Sequence, residues 1–146
     1  MKLWNLQTMT AIGNPCGAGS RGATTRLVWI RREDELDEVL FYGTQNGYLV
    51  CWKQTRRDEA PFEEVHMLEL ASPSEITGLA FDMGSNHLAV CNRNSVVQLF
   101  TVDGLMKPRV IFSVTIKDFL PKAVAFGHTN GDTRDVMAFG LHDGRM

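Results

Sequence analysis

The chain has 146 residues, with 15 Lys and Arg against 17 Asp and Glu for a net charge of -2. One domain's worth of chain with that near-neutral balance is long enough to bury a real core, and it lacks the basic field of a nucleic-acid coat. Hydrophobic residues at 44% and charged residues at 22% are globular values rather than those of a disordered segment.

Short apolar runs of about five residues follow one another along the chain, bounded by turn residues, and no long stretch shows helical spacing. The first strand is expected at residues 2–6, around Trp4. Then come Leu27-Val28-Trp29-Ile30, Val39-Leu40-Phe41-Tyr42 and Tyr48-Leu49-Val50-Cys51-Trp52, and after a charged break Glu64-Val65-His66-Met67-Leu68. They predict strands over 23–30, 39–43, 47–53 and 62–70. The series continues with Leu79-Ala80-Phe81, His87-Leu88-Ala89-Val90-Cys91, Val96-Val97-Gln98-Leu99-Phe100 and Val110-Ile111-Phe112, predicting strands over 75–81, 87–91, 95–102 and 109–116. Val124-Ala125-Phe126 and Val136-Met137-Ala138-Phe139 supply two more. β-Branched and aromatic residues dominate, as a pleated, half-buried surface prefers. Asn46-Gly47, Asn94-Ser95 and Asp143-Gly144 between runs suit tight hairpin turns.

The runs repeat. Trp4, Trp52 and Phe100 are 48 residues apart; Asn46, Asn94 and Asp143 are 48 and 49 apart; so are Phe41, Ala89 and Ala138. A four-strand unit with a period of about 40 to 50 residues points to β-propeller blades. One twisted four-stranded sheet cannot cover both of its apolar faces, so such units stack. The fold expected is all-β, with antiparallel four-stranded sheets in an open arc of about three blades: 1–18 the end of one, 19–70 and 71–116 two whole ones, and 117–146 the start of another.

On these residues the chain resembles the WD-repeat (WD40) propeller family. Ile76-Thr77-Gly78-Leu79-Ala80-Phe81 matches the family's innermost strand, and Leu27-Val28-Trp29 and Val124-Ala125-Phe126 match it in part. Thr44, Asn46-Gly47 and Trp52 match the middle elements of a unit, Asp143-Gly144 matches the turn, and Trp4-Asn5 stands in for Trp-Asp. The resemblance implies a hydrogen-bonded chain of His, Ser or Thr, Asp and Trp inside each blade. Here Ser20, Thr44, Asn46 and Trp52 take those places in one unit, and Asn92, Asn94 and Phe100 take three of them in the next. Side-chain packing must therefore hold the blades more than that polar chain does. Propellers use about four to eight blades. A piece of a longer propeller, two copies joined into a six-bladed ring and an open arc all fit the count. In each case exposed edge strands predict self-association or poor solubility of the chain alone.

Chemistry-bearing clusters are scarce. His66, His87, His128 and His142 fall at no metal-ligand spacing, and Cys16, Cys51 and Cys91 form neither Cys-x-x-Cys pairs nor an even disulfide set, which fits a reducing compartment. Gly17-Ala18-Gly19-Ser20-Arg21-Gly22 lacks the Lys-Ser/Thr of a phosphate loop, and no serine sits in a Gly-x-Ser-x-Gly elbow. The inner strands offer Val28, Ala80 and Ala125 where a channel enzyme needs carboxylates or histidines. No catalytic residue, cofactor or metal is expected. Neither is nucleic acid, because Arg56 and Arg57 stand beside Asp58 and Glu59, nor a membrane, because no apolar run nears the roughly 18 residues of a span.

The resemblance implies an intracellular scaffold, cytoplasmic or nuclear, that binds other proteins; a propeller hydrolase or lyase is the alternative. It also places the short loops on one face of the disc, where Arg93, Lys117, Asp118 and His142 are candidate partner contacts.

Overall fold

A computed structural model describes residues 1–12, 20–30, 37–57, 61–128 and 135–142. Every regular element among the described residues is a β-strand. Strands β1 (Trp4–Asn5) and β2 (Thr10–Ala11) form a short hairpin. Strands β3 (Thr24–Ile30), β4 (Val39–Thr44), β5 (Tyr48–Gln54) and β6 (Phe62–Glu69) make one antiparallel sheet in chain order. Strands β7 (Ile76–Asp82), β8 (His87–Asn92), β9 (Val96–Val102) and β10 (Pro108–Thr115) make a second. A last hairpin joins β11 (Pro121–His128) to β12 (Asp135–Leu141).

The eight strands of the two four-stranded sheets lie within one residue of their expected bounds. The N-terminal strand is shorter than expected. After Asn5 the side-chain oxygen Oδ1 accepts from the backbone N–H groups of Gln7 and Thr8, at 2.8 and 3.1 Å, and turns the chain back at once. A side chain that satisfies local donors in this way competes with the strand ladder. Among the expected turns, Gly47 has φ +83° and Ser95 has φ 61° at the equivalent position. A Cβ on Gly47 would also lie 2.6 Å from the Ser74 backbone nitrogen, so only glycine fits there. Asp143 and Gly144 lie outside the described residues.

Stacking builds the core. Paired residues in antiparallel neighbours share a face, so each sheet has one face toward the preceding sheet and one toward the next. Phe41, Leu49 and Cys51 on the first sheet meet Ile76, Leu88, Val90 and Phe100 on the second in one buried cluster. On the other face of the first sheet Leu40, Tyr42, Val50 and Trp52 form a second cluster, against which Leu3 of the N-terminal segment packs. Trp52 and Phe100 are thus equivalent: both are buried and both point to the preceding layer. β11 packs against β7 and β8 and so stacks the last hairpin on the second sheet.

The inner strands share a device that the period alone did not disclose. Each has a register shift at its start that leaves one extra residue, Thr25 in β3, Thr77 in β7 and Lys122 in β11. Such a bulge re-aims its side chain. Thr25 Oγ1 donates to the Ile76 carbonyl at 2.7 Å, and Thr77 Oγ1 donates to the Pro121 carbonyl at 2.5 Å. Each threonine ties its sheet to the next.

Candidate interaction cleft on the short-loop face

The same three bulges put charge at one end of the stack. β3, β7 and β11 lie side by side as the innermost strands, and their first residues open on the side of the short loops. Arg26 follows the first bulge. Its Nε donates to the Thr77 carbonyl at 2.8 Å and its Nη1 to the Thr25 carbonyl at 2.7 Å, so the guanidinium is held across the sheet boundary. Arg93 sits in the β8–β9 turn, with Nη1 2.9 Å from Glu75 Oε2. Both arginines, Glu75, Thr77, Leu120, Lys122 and His142 line one cleft of about 220 Å³. Three cations face one carboxylate there, in a chain whose formal charge is -2. Arg93 is ion-paired, while Arg26 donates to backbone carbonyls.

A second opening of about 340 Å³ adjoins it, lined by Asp118, Phe119, Leu120 and His142. His142 and Leu120 therefore belong to both. The expected contacts Arg93, Asp118 and His142 all line these openings. Lys117 is exposed in the same β10–β11 turn but lines neither. Arg26 and Lys122 are the residues the sequence reading passed over. The expectation that the inner strands carry almost no titratable group at their channel ends is corrected by these two. Its cause is the bulge, which shifts the alternation at the first residues of each strand and brings long cationic side chains to the rim. A cation beside the inner-strand start, Arg26 after Thr24-Thr25 and Lys122 after Pro121, was the available signal.

The polar chain that the WD-repeat resemblance implies is rearranged. Thr44 Oγ1 accepts from the Tyr48 N–H at 3.1 Å, and Asn92 Oδ1 accepts from the Val96 N–H at 3.1 Å, so Asn92 does Thr44's work. Asn46 Nδ2 donates to the Ser20 carbonyl and Asn94 Nδ2 to the Ser72 hydroxyl, at 2.8 and 2.9 Å. The buried Trp52 indole N–H has no hydrogen-bond partner among the described residues, so the chain of bonds stops short of it. Trp4, at the matching position of β1, is 55% exposed.

Cys51 and Cys91 are structural. Both are free and buried, and burial pushes both thiols up to about 12, in Cys51 against a smaller opposing pull from Lys53. A thiol so raised is not a nucleophile at neutral pH. Among the described residues no three His, Cys, Asp or Glu side chains gather as a metal site, and no helix is long and apolar enough to cross a membrane.

No protein-family model matches the chain, and no curated protein matches it in sequence. Solved structures do. The crystal structure of BBS1N in complex with ARL6DN, soaked with mercury, superposes with a TM-score of 0.63 at 14% identity, over 96% of this chain and 40% of that one. The same complex soaked with lead gives 0.65 at 13% identity, over 97% and 40%. The chain therefore spans less than half the length of the structures it matches. Its four-stranded antiparallel sheets, stacked face to face with their first strands innermost, are β-propeller blades in an open arc.

Proposed function

We propose that this chain is a non-catalytic protein-interaction scaffold of the WD-repeat type that works inside the cell. Its blades follow the units 1–18, 19–70, 71–116 and 117–146. The partner contact is the short-loop face around Arg26, Arg93, Lys122 and His142, with Lys117 and Asp118 at its margin. The observation that carries this reading is the convergence of cations from three neighbouring layers on one rim cleft. A rigid scaffold that presents converging side chains at loop ends is where binding concentrates. Three cations with one carboxylate favour an acidic segment of a protein partner. The matched propeller was crystallised in complex with another protein, ARL6DN, which supports a protein partner for this fold as well. Thr44, Asn46, Gly47 and Trp52 in one unit, with Asn92, Asn94 and Phe100 in the next, support the WD-repeat type. Free buried thiols support a reducing compartment.

The test is fluorescence-anisotropy binding of a synthetic Asp/Glu-rich peptide to the wild-type chain and to an Arg26→Glu, Lys122→Glu double variant. Wild type is expected to bind with an affinity that falls as salt rises, since exposed charges are screened over about 10 Å at 0.1 M. The double variant is expected to lose at least tenfold. Equal affinity for both proteins, or equal binding of a Lys-rich control peptide, overturns the assignment of this face.

A further inference from the structure

Each of three neighbouring layers gives the rim cleft one cation. Arg26 comes from β3 of the first sheet, Arg93 from the β8–β9 turn of the second, and Lys122 from β11 of the last hairpin. Glu75, just before β7, is the one carboxylate among the described residues that line it, so two positive charges are in excess. Two of the cations are held in place before any ligand arrives. Arg26 is fixed by the Thr77 and Thr25 carbonyls through Nε and Nη1, and its Nη2 has no partner among the described residues. Arg93 is fixed by Glu75 through Nη1 at 2.9 Å. The Lys122 ammonium has neither a hydrogen bond nor an ion pair among the described residues.

Size and charge narrow what such a cleft takes. At about 220 Å³ it is smaller than the pockets of about 300–1,000 Å³ that enclose a drug-sized ligand, so it suits the head of a side chain. Two kinds of acidic head compete there. A carboxylate brings one negative charge and two oxygens in a plane. A phosphate monoester brings about -1.5 to -2 at neutral pH and three acceptor oxygens that diverge tetrahedrally. Donors that converge from three layers match three diverging oxygens, and the near-dianion matches the two excess charges. A guanidinium also pairs with phosphate through two parallel N–H bonds. No Phe, Tyr or Trp lines the cleft among the described residues, so the ring of an aryl phosphate has nothing to stack on. Asp118 in the adjoining opening disfavours a second anion beside the first, which separates a single phosphorylated side chain from a nucleic-acid backbone.

We propose, resting on the assignment of this face to an acidic partner segment, that the group the cleft takes is a phosphorylated serine or threonine of that partner. Arg26 Nη2 and the Lys122 ammonium donate to the phosphate oxygens, and Arg93, kept in place by Glu75, adds charge from the third side. Because Arg26 is already positioned, little ordering is left to be done on binding. The unmodified hydroxyl offers no charge to three cations, so phosphorylation of the partner switches the contact on. Clustered basic side chains recognise phosphorylated motifs by these same charge-assisted bonds.

Fluorescence anisotropy with labelled peptides of one Gly/Ala-rich sequence, carrying phosphoserine, glutamate or serine at its centre, tests this. The wild-type chain is expected to bind the phosphoserine peptide at least tenfold more tightly than the glutamate peptide, and the serine peptide not measurably. Arg26→Lys keeps the charge and removes the fork. It is expected to weaken the phosphoserine peptide at least fivefold and the glutamate peptide less than twofold. Lys122→Gln breaks no bond of the fold, and is expected to weaken the phosphoserine peptide at least fivefold with an unchanged circular-dichroism spectrum; it carries the test where Arg26→Lys fails to fold. Equal affinity for the phosphoserine and glutamate peptides overturns the phosphate assignment, and so does binding of an Asp/Glu-rich peptide without binding of the phosphoserine peptide; both leave the acidic-segment reading standing. Binding of none of these peptides overturns both. Displacement of the phosphoserine peptide by phosphoinositide vesicles or by a single-stranded oligonucleotide, at the same phosphate concentration, assigns the cleft to a lipid headgroup or a nucleic acid and overturns the proposal.

Discussion

At the scale of single residues, the position shared by Trp52 and Phe100 separates packing from hydrogen bonding. Both side chains are buried, but the Trp52 indole N–H has no partner among the described residues, and a buried donor without an acceptor costs about 1–3 kcal/mol. Phe100 shows that the same place in a blade accepts a ring with no donor. Trp52→Phe is therefore expected to change stability by less than about 1.5 kcal/mol, because the lost ring volume and the removed polar atom offset each other. Trp52→Ala is expected to cost about 3–5 kcal/mol, since it opens the cluster formed with Leu40, Tyr42 and Val50. Urea unfolding of the two variants against wild type checks both. A Trp52→Phe cost as large as that of Trp52→Ala means that the indole nitrogen does have a partner, and the reading of that position as pure packing fails.

At the scale of elements, the blades are joined by two repeated features, and they were unequally legible. Apolar stacking was readable, because Phe41, Ala89 and Ala138, or Trp4, Trp52 and Phe100, recur at a spacing of 48 or 49 residues within apolar runs. The bulge at the head of each inner strand was not. Thr25, Thr77 and Lys122 are separated by 52 and 45 residues rather than by the period, because the loops between them differ in length. That irregularity hid the threonine ties and also Arg26 and Lys122, two of the cleft's three cations. Arg93, Asp118 and His142 were legible because short turns fix where their side chains can be. The tie is expected to matter. Thr77 is 6% exposed, and its hydroxyl is the donor to the Pro121 carbonyl. Thr77→Val keeps the shape and strands that carbonyl, so it is expected to cost about 1–3 kcal/mol. Thr77→Ser keeps the donor and is expected to cost less than half as much. Thermal unfolding of the pair decides between a bond and a shape effect: equal losses would assign the role of Thr77 to its methyl group.

At the scale of the whole molecule, stability is graded from the middle outward, as in any array whose units contact only their neighbours. Strand β4 is buried along its whole length and β8 along nearly all of it, while β10 is exposed at seven of its eight residues and neither residue of β2 is buried. Local opening free energies follow buried apolar contact. Backbone amides of β4, β5 and β8 are expected to exchange hydrogen only through global unfolding. Those of β1 and β12 are expected to exchange by local fraying, orders of magnitude faster. Exchange followed by nuclear magnetic resonance measures both sets in one sample. Equal exchange rates in β4 and β12 would show that the blades open as one unit, and the graded picture would fail.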